Sequence, residues 1–400
     1  MRIHTPEREI SGDAKCFSFG VWASKINNKK MKGVDFEVFN NKVEGVSEKF
    51  DLNSPEGRAK YFQAKAGPEI EKIKKFLEKN TFLAFLMGKK NSGKGTYSKL
   101  FMEAVGPFGA RLRAGEISNG VNRVGHISVG DVVRDVHKAI ETGEGKKELM
   151  AFLEKNYRGF HSLEEVENII MGRDTKSLVS SEVIVALLQY EISKRPRQAI
   201  FIDGFPRALD QIGYSLMLRQ VLGYREDPDF LVFISVPETV IDARIKARVI
   251  CPICHTPRSL KLAPTAFIGQ DEATGEFYLM CDNPECNKAR MVTKEGDELG
   301  IEPIRDRLEL DDVIFKRLLD LKGLPQIKLR NSIPADKAWD YVEKYEVTPM
   351  YSYQKGVDGK IETIEEPWLV KDDDGVECVS LLPASVALGF IKQTAEVLGL

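Results

Sequence analysis

Thr81-Phe-Leu-Ala-Phe-Leu-Met87 leads into Gly88-Lys89-Lys90-Asn91-Ser92-Gly93-Lys94-Gly95-Thr96, and that into Tyr97-Ser-Lys-Leu-Phe-Met-Glu-Ala-Val105. The first piece is an apolar run of strand character and the last has helical spacing, so the glycine-bearing middle connects a strand to a helix. In such a loop the glycines let the backbone curl until its N–H groups converge on phosphate oxygens. The helix N-terminus adds its positive end, and Lys94 can reach the outer phosphates. Asn91 tolerates a left-handed backbone and keeps the curl where a further glycine is usual. Lys89 and Lys90 are expected to face solvent.

Outward from the loop, apolar strands and helices continue to alternate. Residues 199–202 and 230–236 read as strands. Ser181–Ser193 reads as an amphipathic helix through Val183, Ile184, Leu187, Leu188 and Ile192, with Ser180 as N-cap. Pro68–Lys79 reads as a helix with proline in its first turn, and residues 1–70 as otherwise irregular. This alternation predicts an α/β fold: a parallel sheet flanked by helices on both faces, with ligands at the carboxyl ends of its strands. Residues 138–175 read as a helical insertion containing a capping box, Ser162-Leu-Glu-Glu165, and 319–345 as a second insertion. The expected division is an N-terminal extension, 1–80, and a core, 81–400, that carries inserted segments at 132–180, 249–304 and 319–345.

Composition sets the outer bounds. The chain has 400 residues, 42% hydrophobic and 30% charged, with net charge −2, which is ordinary for a globular protein and calls for neither nucleic acid nor an anionic membrane. The apolar runs are too short to span a bilayer, and the start, Met-Arg-Ile-His-Thr-Pro, has no apolar signal core. A cytoplasmic monomer is therefore expected.

Cys251-Pro-Ile-Cys254 and Cys281-Asp-Asn-Pro-Glu-Cys286 are two close pairs that can converge on one ion. Four thiolates in a closed tetrahedral set suit a structural Zn2+. His255 is expected at the surface, and Cys16 and Cys378 as isolated core thiols.

Four further segments follow the loop in order: His126-Ile-Ser-Val-Gly-Asp-Val-Val-Arg134, Leu178-Val-Ser-Ser-Glu182, Phe201-Ile-Asp-Gly-Phe-Pro-Arg207 through Gln211, and Val236-Pro-Glu-Thr-Val-Ile-Asp-Ala-Arg244 through Arg248. With the loop, this set resembles the adenylate kinases, within the nucleoside monophosphate kinases, and the cysteine pattern resembles their zinc-lidded form. The resemblance covers roughly 81–317 and, more weakly, 346–400.

It implies a P-loop kinase core with a zinc-bearing lid (249–304) and a helical monophosphate-binding subdomain (132–180). It also implies the reaction ATP + AMP ⇌ 2 ADP with Mg2+. Lys94 and the backbone of Gly88, Asn91, Ser92, Gly93, Gly95 and Thr96 would hold the ATP phosphates. Asp203 would hold the Mg2+ shell through water, and Asp131 lies in a segment approaching the same site. Arg134 and Arg207 would clamp the monophosphate beside Gly204. Gln211, with Leu178, Val179 and Val129, would surround the acceptor base.

Arg244 and Arg248, spaced i,i+4, are expected on one helical face, aimed at a single anion. Arg317 resembles an arginine brought back from the lid, and Arg305 and Arg307 compete for the position at the lid's base. Phosphoryl transfer needs this kind of kit, because it asks for positioning and for cations where charge develops. Gln211 favours AMP, whereas Val129 and the enlarged insertion leave GMP, UMP or CMP open. The other alternative is a non-catalytic zinc-ribbon scaffold for nucleotides or nucleic acid.

Overall fold

A computed structural model describes residues 36–106, 123–172, 179–213, 222–357 and 360–400. Leu178 and Cys16 lie outside the described residues. At the centre is a five-stranded, wholly parallel sheet. Its strands are β1 (Leu83–Met87), β2 (Val124–Ser128), β3 (Ala199–Asp203), β4 (Asp229–Ser235) and β5 (Gln326–Arg330), in the spatial order β5-β4-β1-β3-β2.

The two-residue period of the strands sorts their side chains into two apolar layers. Phe82, Ala84 and Leu86 join Phe201, Val232 and Ile234 on one face. Leu83, Phe85 and Met87 join Ile202, Leu231 and Phe233 on the other. The first layer is covered by α1 (Pro55–Phe76), α2 (Lys94–Val105) and the C-terminal helix, and its centre is aromatic: Phe101 stands 5.1 Å from Phe201 and 5.0 Å from Phe390. The second is covered by α3 (Val129–Thr142), α4 (Lys146–Asn156), α5 (Leu163–Met171), α6 (Ser181–Ser193) and a later helix that returns from the lid. Both faces of a parallel sheet must be covered in this way, which is why its central strands read as unbroken apolar runs.

Three further helices complete the set used below: α7 (Glu238–Lys246), α8 (Arg305–Leu319) and α9 (Pro383–Val397). Between α7 and α8 stands a small lid. Arg248–Ile250, Pro257–Ser259 and Val292–Thr293 form its three-stranded sheet, Phe267–Gln270 and Phe277–Met280 its hairpin, and Cys251, Leu279, Cys281, Cys286 and Met291 its core.

Several expectations are corrected. The helix expected over Pro68–Lys79 ends at Phe76 and forms the second limb of a kinked α1, whose first limb begins at Pro55. Ser54 caps it by accepting the Gly57 N–H at 3.1 Å, and a kink at Ala66 (φ −144°, ψ 22°) accommodates Pro68 inside it. Residues 319–345 are not wholly an insertion, since β5 lies within them and forms the sheet edge beside β4. The segment inserted before α9 contains a three-stranded antiparallel sheet (Ser332–Pro334, Leu369–Lys371, Glu377–Ser380) and a hairpin (Pro349–Lys355, Ile361–Pro367). Ser180 holds the N-cap position of α6, but its hydroxyl makes no capping bond. The Ser162–Glu165 capping box is formed in full.

The inserted hairpin reaches the lid. Tyr351 N–H donates to Lys261 O and Tyr353 Oη to Leu260 O, both at 2.7 Å, while the Tyr353 and Phe277 rings stand 5.7 Å apart. Nearby, the Asp373 carboxylate caps the start of α7, accepting the N–H groups of Glu238 at 3.0 Å and Thr239 at 3.2 Å. α1 and the segment between β5 and α9 also meet in the core. Lys65 Nζ lies 3.0 Å from Glu346 Oε1, both side chains fully buried, and Tyr61 donates to the same oxygen.

Candidate active site

β1 ends at Met87, and the loop that follows opens α2 at Lys94. Asn91 takes φ 66° and Gly93 φ 94°, the left-handed turns that the curl requires. A cavity of about 160 Å³ lies where this loop meets the end of β3 and one face of α8. Around it stand four cations, Lys90, Lys94, Arg207 and Arg307, against two carboxylates, Asp203 and Asp311, so the cavity favours an anion.

Lys94 Nζ donates to Gly88 O at 2.8 Å and Lys89 O at 2.9 Å, and lies 3.8 Å from Asp203 Oδ1. Burial lowers its pKa, with Asp203 and Asp311 opposing. Arg207 is likewise pushed below its ordinary value by burial and by the neighbouring Arg307 charge, and its Nε is buried with no partner among the described residues. Lys90 is lowered by burial and by Arg307. Crowded cations that depress one another are relieved when a polyanion enters.

Gly204 (φ 87°) lies under the Arg207 guanidinium, where any Cβ would collide with it. Gln211, 3% exposed, accepts the Arg207 N–H through Oε1 at 2.7 Å and so holds this turn in shape. Arg134 and Arg207 approach each other across Gly130: a Cβ there would sit 3.5 Å from a guanidinium nitrogen of each.

Other expected residues fall elsewhere. Asp131 is exposed and pairs with Arg134, away from the cavity wall. Val129 is the first residue of α3 and is 4% exposed, packed in the second apolar layer and not presented to a ligand. Val179 also packs partly against that layer.

Arg244 and Arg248 do not share a helical face, because α7 ends at Lys246 and Arg248 begins a lid strand. Arg244 donates to Ser380 Oγ at 2.9 Å and Asn331 Oδ1 at 3.3 Å. Arg248 makes a bidentate pair with Asp297, both bonds at 2.6 Å. Arg317 is exposed and off the cavity wall. Of the two competitors at the lid's base, Arg307 lines the cavity and Arg305 pairs with Glu302 at the surface.

Of the two lysines expected in solvent, Lys90 is exposed and Lys89 is engaged. Lys89 Nζ lies 2.9 Å from Glu238 and 3.1 Å from Asp312; burial opposes its charge, but the two carboxylates outweigh it and raise its pKa. Lys90 donates its N–H to Asp311 Oδ2 at 3.1 Å. Asp311 was not singled out from the sequence, although its i,i+4 spacing from Arg307 put both on one face of a helix.

In the lid, the Sγ atoms of Cys251, Cys254, Cys281 and Cys286 lie within 4.8 Å of one another. The Thr256 hydroxyl draws the Cys254 thiol down to about 6, while burial pushes Cys286 up to about 12. Four mutually close thiols, three of them buried, fit a tetrahedral zinc site. His255 is exposed beside them, and Cys378 is a buried free thiol. Among the described residues no helix is long and apolar enough to cross a membrane.

No family model matches the chain. It is similar to the adenylate kinase of Thermotoga petrophila, 27% identical over 219 residues, which is 54% of this chain and 74% of that protein. It is also similar to the adenylate kinase of Bacillus subtilis, 27% identical over 203 residues (50% and 74%). A shorter match joins it to that of a Synechococcus, 36% identical over 75 residues (19% and 38%). The chain is accordingly adenylate kinase-like, an enzyme of the nucleoside monophosphate kinase class with an α/β P-loop core.

Proposed function

We propose that the chain catalyses the reversible reaction ATP + AMP ⇌ 2 ADP by direct in-line transfer. The observation that carries this reading is the single cavity at which the Gly88–Thr96 loop, Lys94, Asp203 and Arg207 meet. Loop N–H groups and Lys94 would hold the triphosphate, while Arg207, joined by Arg134 across Gly130, would orient the acceptor phosphate. Asp203, beside Lys94, is the carboxylate suited to a hydrated Mg2+. Mg2+, when bound with ATP, supplies charge neutralisation at the β and γ oxygens.

Gln211 supports the acceptor turn through its carbonyl, and with Val179 it is the part of the acceptor side that bears on the base. The four lid thiols would hold a structural Zn2+ that keeps the lid rigid as it excludes water.

A coupled assay with Mg-ATP and AMP, GMP, CMP, UMP or dAMP in turn, with Lys94→Met as control, tests the reading. Selective turnover of AMP, lost in the control, supports it; selective turnover of another monophosphate replaces the acceptor. A zinc-loaded, folded protein that turns over none of them would be a scaffold.

A further inference from the structure

Helix α8, which returns from the lid, does more than wall the cavity. Its residues Arg307, Asp311, Ile314 and Phe315 form one stripe, spaced i, i+4, i+7 and i+8, that faces the phosphate loop. From this stripe Asp311 Oδ2 accepts the Lys90 N–H at 3.1 Å, and Asp311 Oδ1 lies 3.4 Å from Arg307 Nε. The next residue, Asp312, takes Lys89 Nζ at 3.1 Å. The same ammonium reaches Glu238 at the start of α7, the helix that enters the lid. Two consecutive loop lysines are thus tied to both stems of the lid, one through its side chain and one through its main chain.

We propose that Asp311 and Asp312 are positioning residues that clasp the lid's returning stem to the phosphate loop, and that the Asp311 carboxylate competes with incoming triphosphate. The inference rests on the reading of Gly88–Thr96 as a phosphate loop. Asp311 offers an anionic oxygen to a loop amide and a cavity guanidinium, the two kinds of donor that a phosphate oxygen would seek. Triphosphate and Asp311 therefore exclude each other at these donors. Binding exchanges one anion for another and releases Asp311 from Lys90, so that the Asp312–Lys89 pair remains as the polar tie between α8 and the loop.

Calorimetric titration of magnesium-free inorganic tripolyphosphate, and then of Mg-ATP, into the full chain and its Asp311→Asn and Asp311→Glu variants tests this. Loss of the competing charge is expected to tighten tripolyphosphate binding by about fivefold or more in Asp311→Asn. Asp311→Glu, which keeps the charge, should stay near the unaltered protein. An Asp311 that only supports the fold would leave tripolyphosphate binding unchanged or weaker in Asp311→Asn. Unchanged or weaker tripolyphosphate binding by Asp311→Asn overturns the clasp while leaving the phosphate loop intact. Weakening of Mg-ATP binding alone overturns it too, by making Asp311 a metal-holding group. Failure of the unaltered protein and both variants to bind either compound overturns the phosphate-loop reading, and the clasp with it.

Discussion

Lys94 Nζ lies 3.8 Å from Asp203 Oδ1 while its protons are directed at the carbonyl oxygens of Gly88 and Lys89. The ammonium is thus held in place by the loop it serves, facing the one carboxylate at the end of β3. Replacing it with methionine keeps most of the apolar stem and removes the charge. Lys94→Met is expected to lower kcat by about 100- to 1,000-fold with an unchanged circular dichroism spectrum. Turnover within tenfold of the unaltered protein would remove Lys94 from the phosphate site.

Gly204→Ala should damage the acceptor side. At φ 87°, with Arg207 packed over it, any Cβ is both strained and in collision with the guanidinium. The expected results are a stability loss of about 1–3 kcal/mol by denaturant titration and a raised KM for the monophosphate. An unchanged KM would show that Arg207 does not need this turn.

Arg307 and Arg317 can be separated by substitution. Arg307 lines the cavity and Arg317 is exposed away from it. Arg307→Ala is expected to raise the apparent Kd for Mg-ATP by about tenfold, the size of a charge-assisted bond of ~1.5 kcal/mol, with a smaller change in Arg317→Ala. The reverse order would mean that α8 turns on binding.

Metal removal has a local prediction. If the four thiols hold zinc, chelation should speed hydrogen exchange across residues 248–304 and lower the melting temperature, while exchange in β1 and β3 stays slow. A chelated protein with unchanged lid exchange would rule out a structural metal.

The Ser162–Glu165 capping box carries a pH signature. The Ser162 N–H, bonded to the Glu165 carboxylate, holds that group below its ordinary 4.5. A depressed folded pKa means that the stabilisation is present above the unfolded value and is lost as pH falls through the folded one. Glu165→Ala should therefore melt lower than the unaltered protein at neutral pH and approach it as pH falls below about 4.5. A gap that persisted in acid would have to come from packing.

The sequence was most legible where one physical signal dominated. Unbroken apolar runs marked β1, β3 and β4, since the middles of strands covered on both faces are fully buried and apolar. Apolar spacing marked α6, and the Ser162–Glu165 pair marked the start of α5. β5 was missed because Gln326, Lys328 and Arg330 interrupt it, as an edge strand allows, and its partner β4 lies far back in the chain. β2 was obscured by Gly125 and His126, whose places depend on tertiary neighbours such as Gln198. The helical face expected for Arg244 and Arg248 failed because nothing between them signals that α7 stops at Lys246. That the loop, Asp203 and Arg207 come together was legible, but the partners of Lys89 and Lys90 come from α7 and α8, and no local pattern announces contacts made across a fold.

The buried contact between Lys65 and Glu346 makes two distant stretches of chain answerable to each other. One charge comes from a helix ahead of the sheet and the other from the segment between β5 and α9. Loss of either partner alone strands a charge in the interior at a cost of about 3–5 kcal/mol. A change at one position is therefore tolerable only once the other has lost its charge as well, so the two sites behave as one genetic unit in any mutational series.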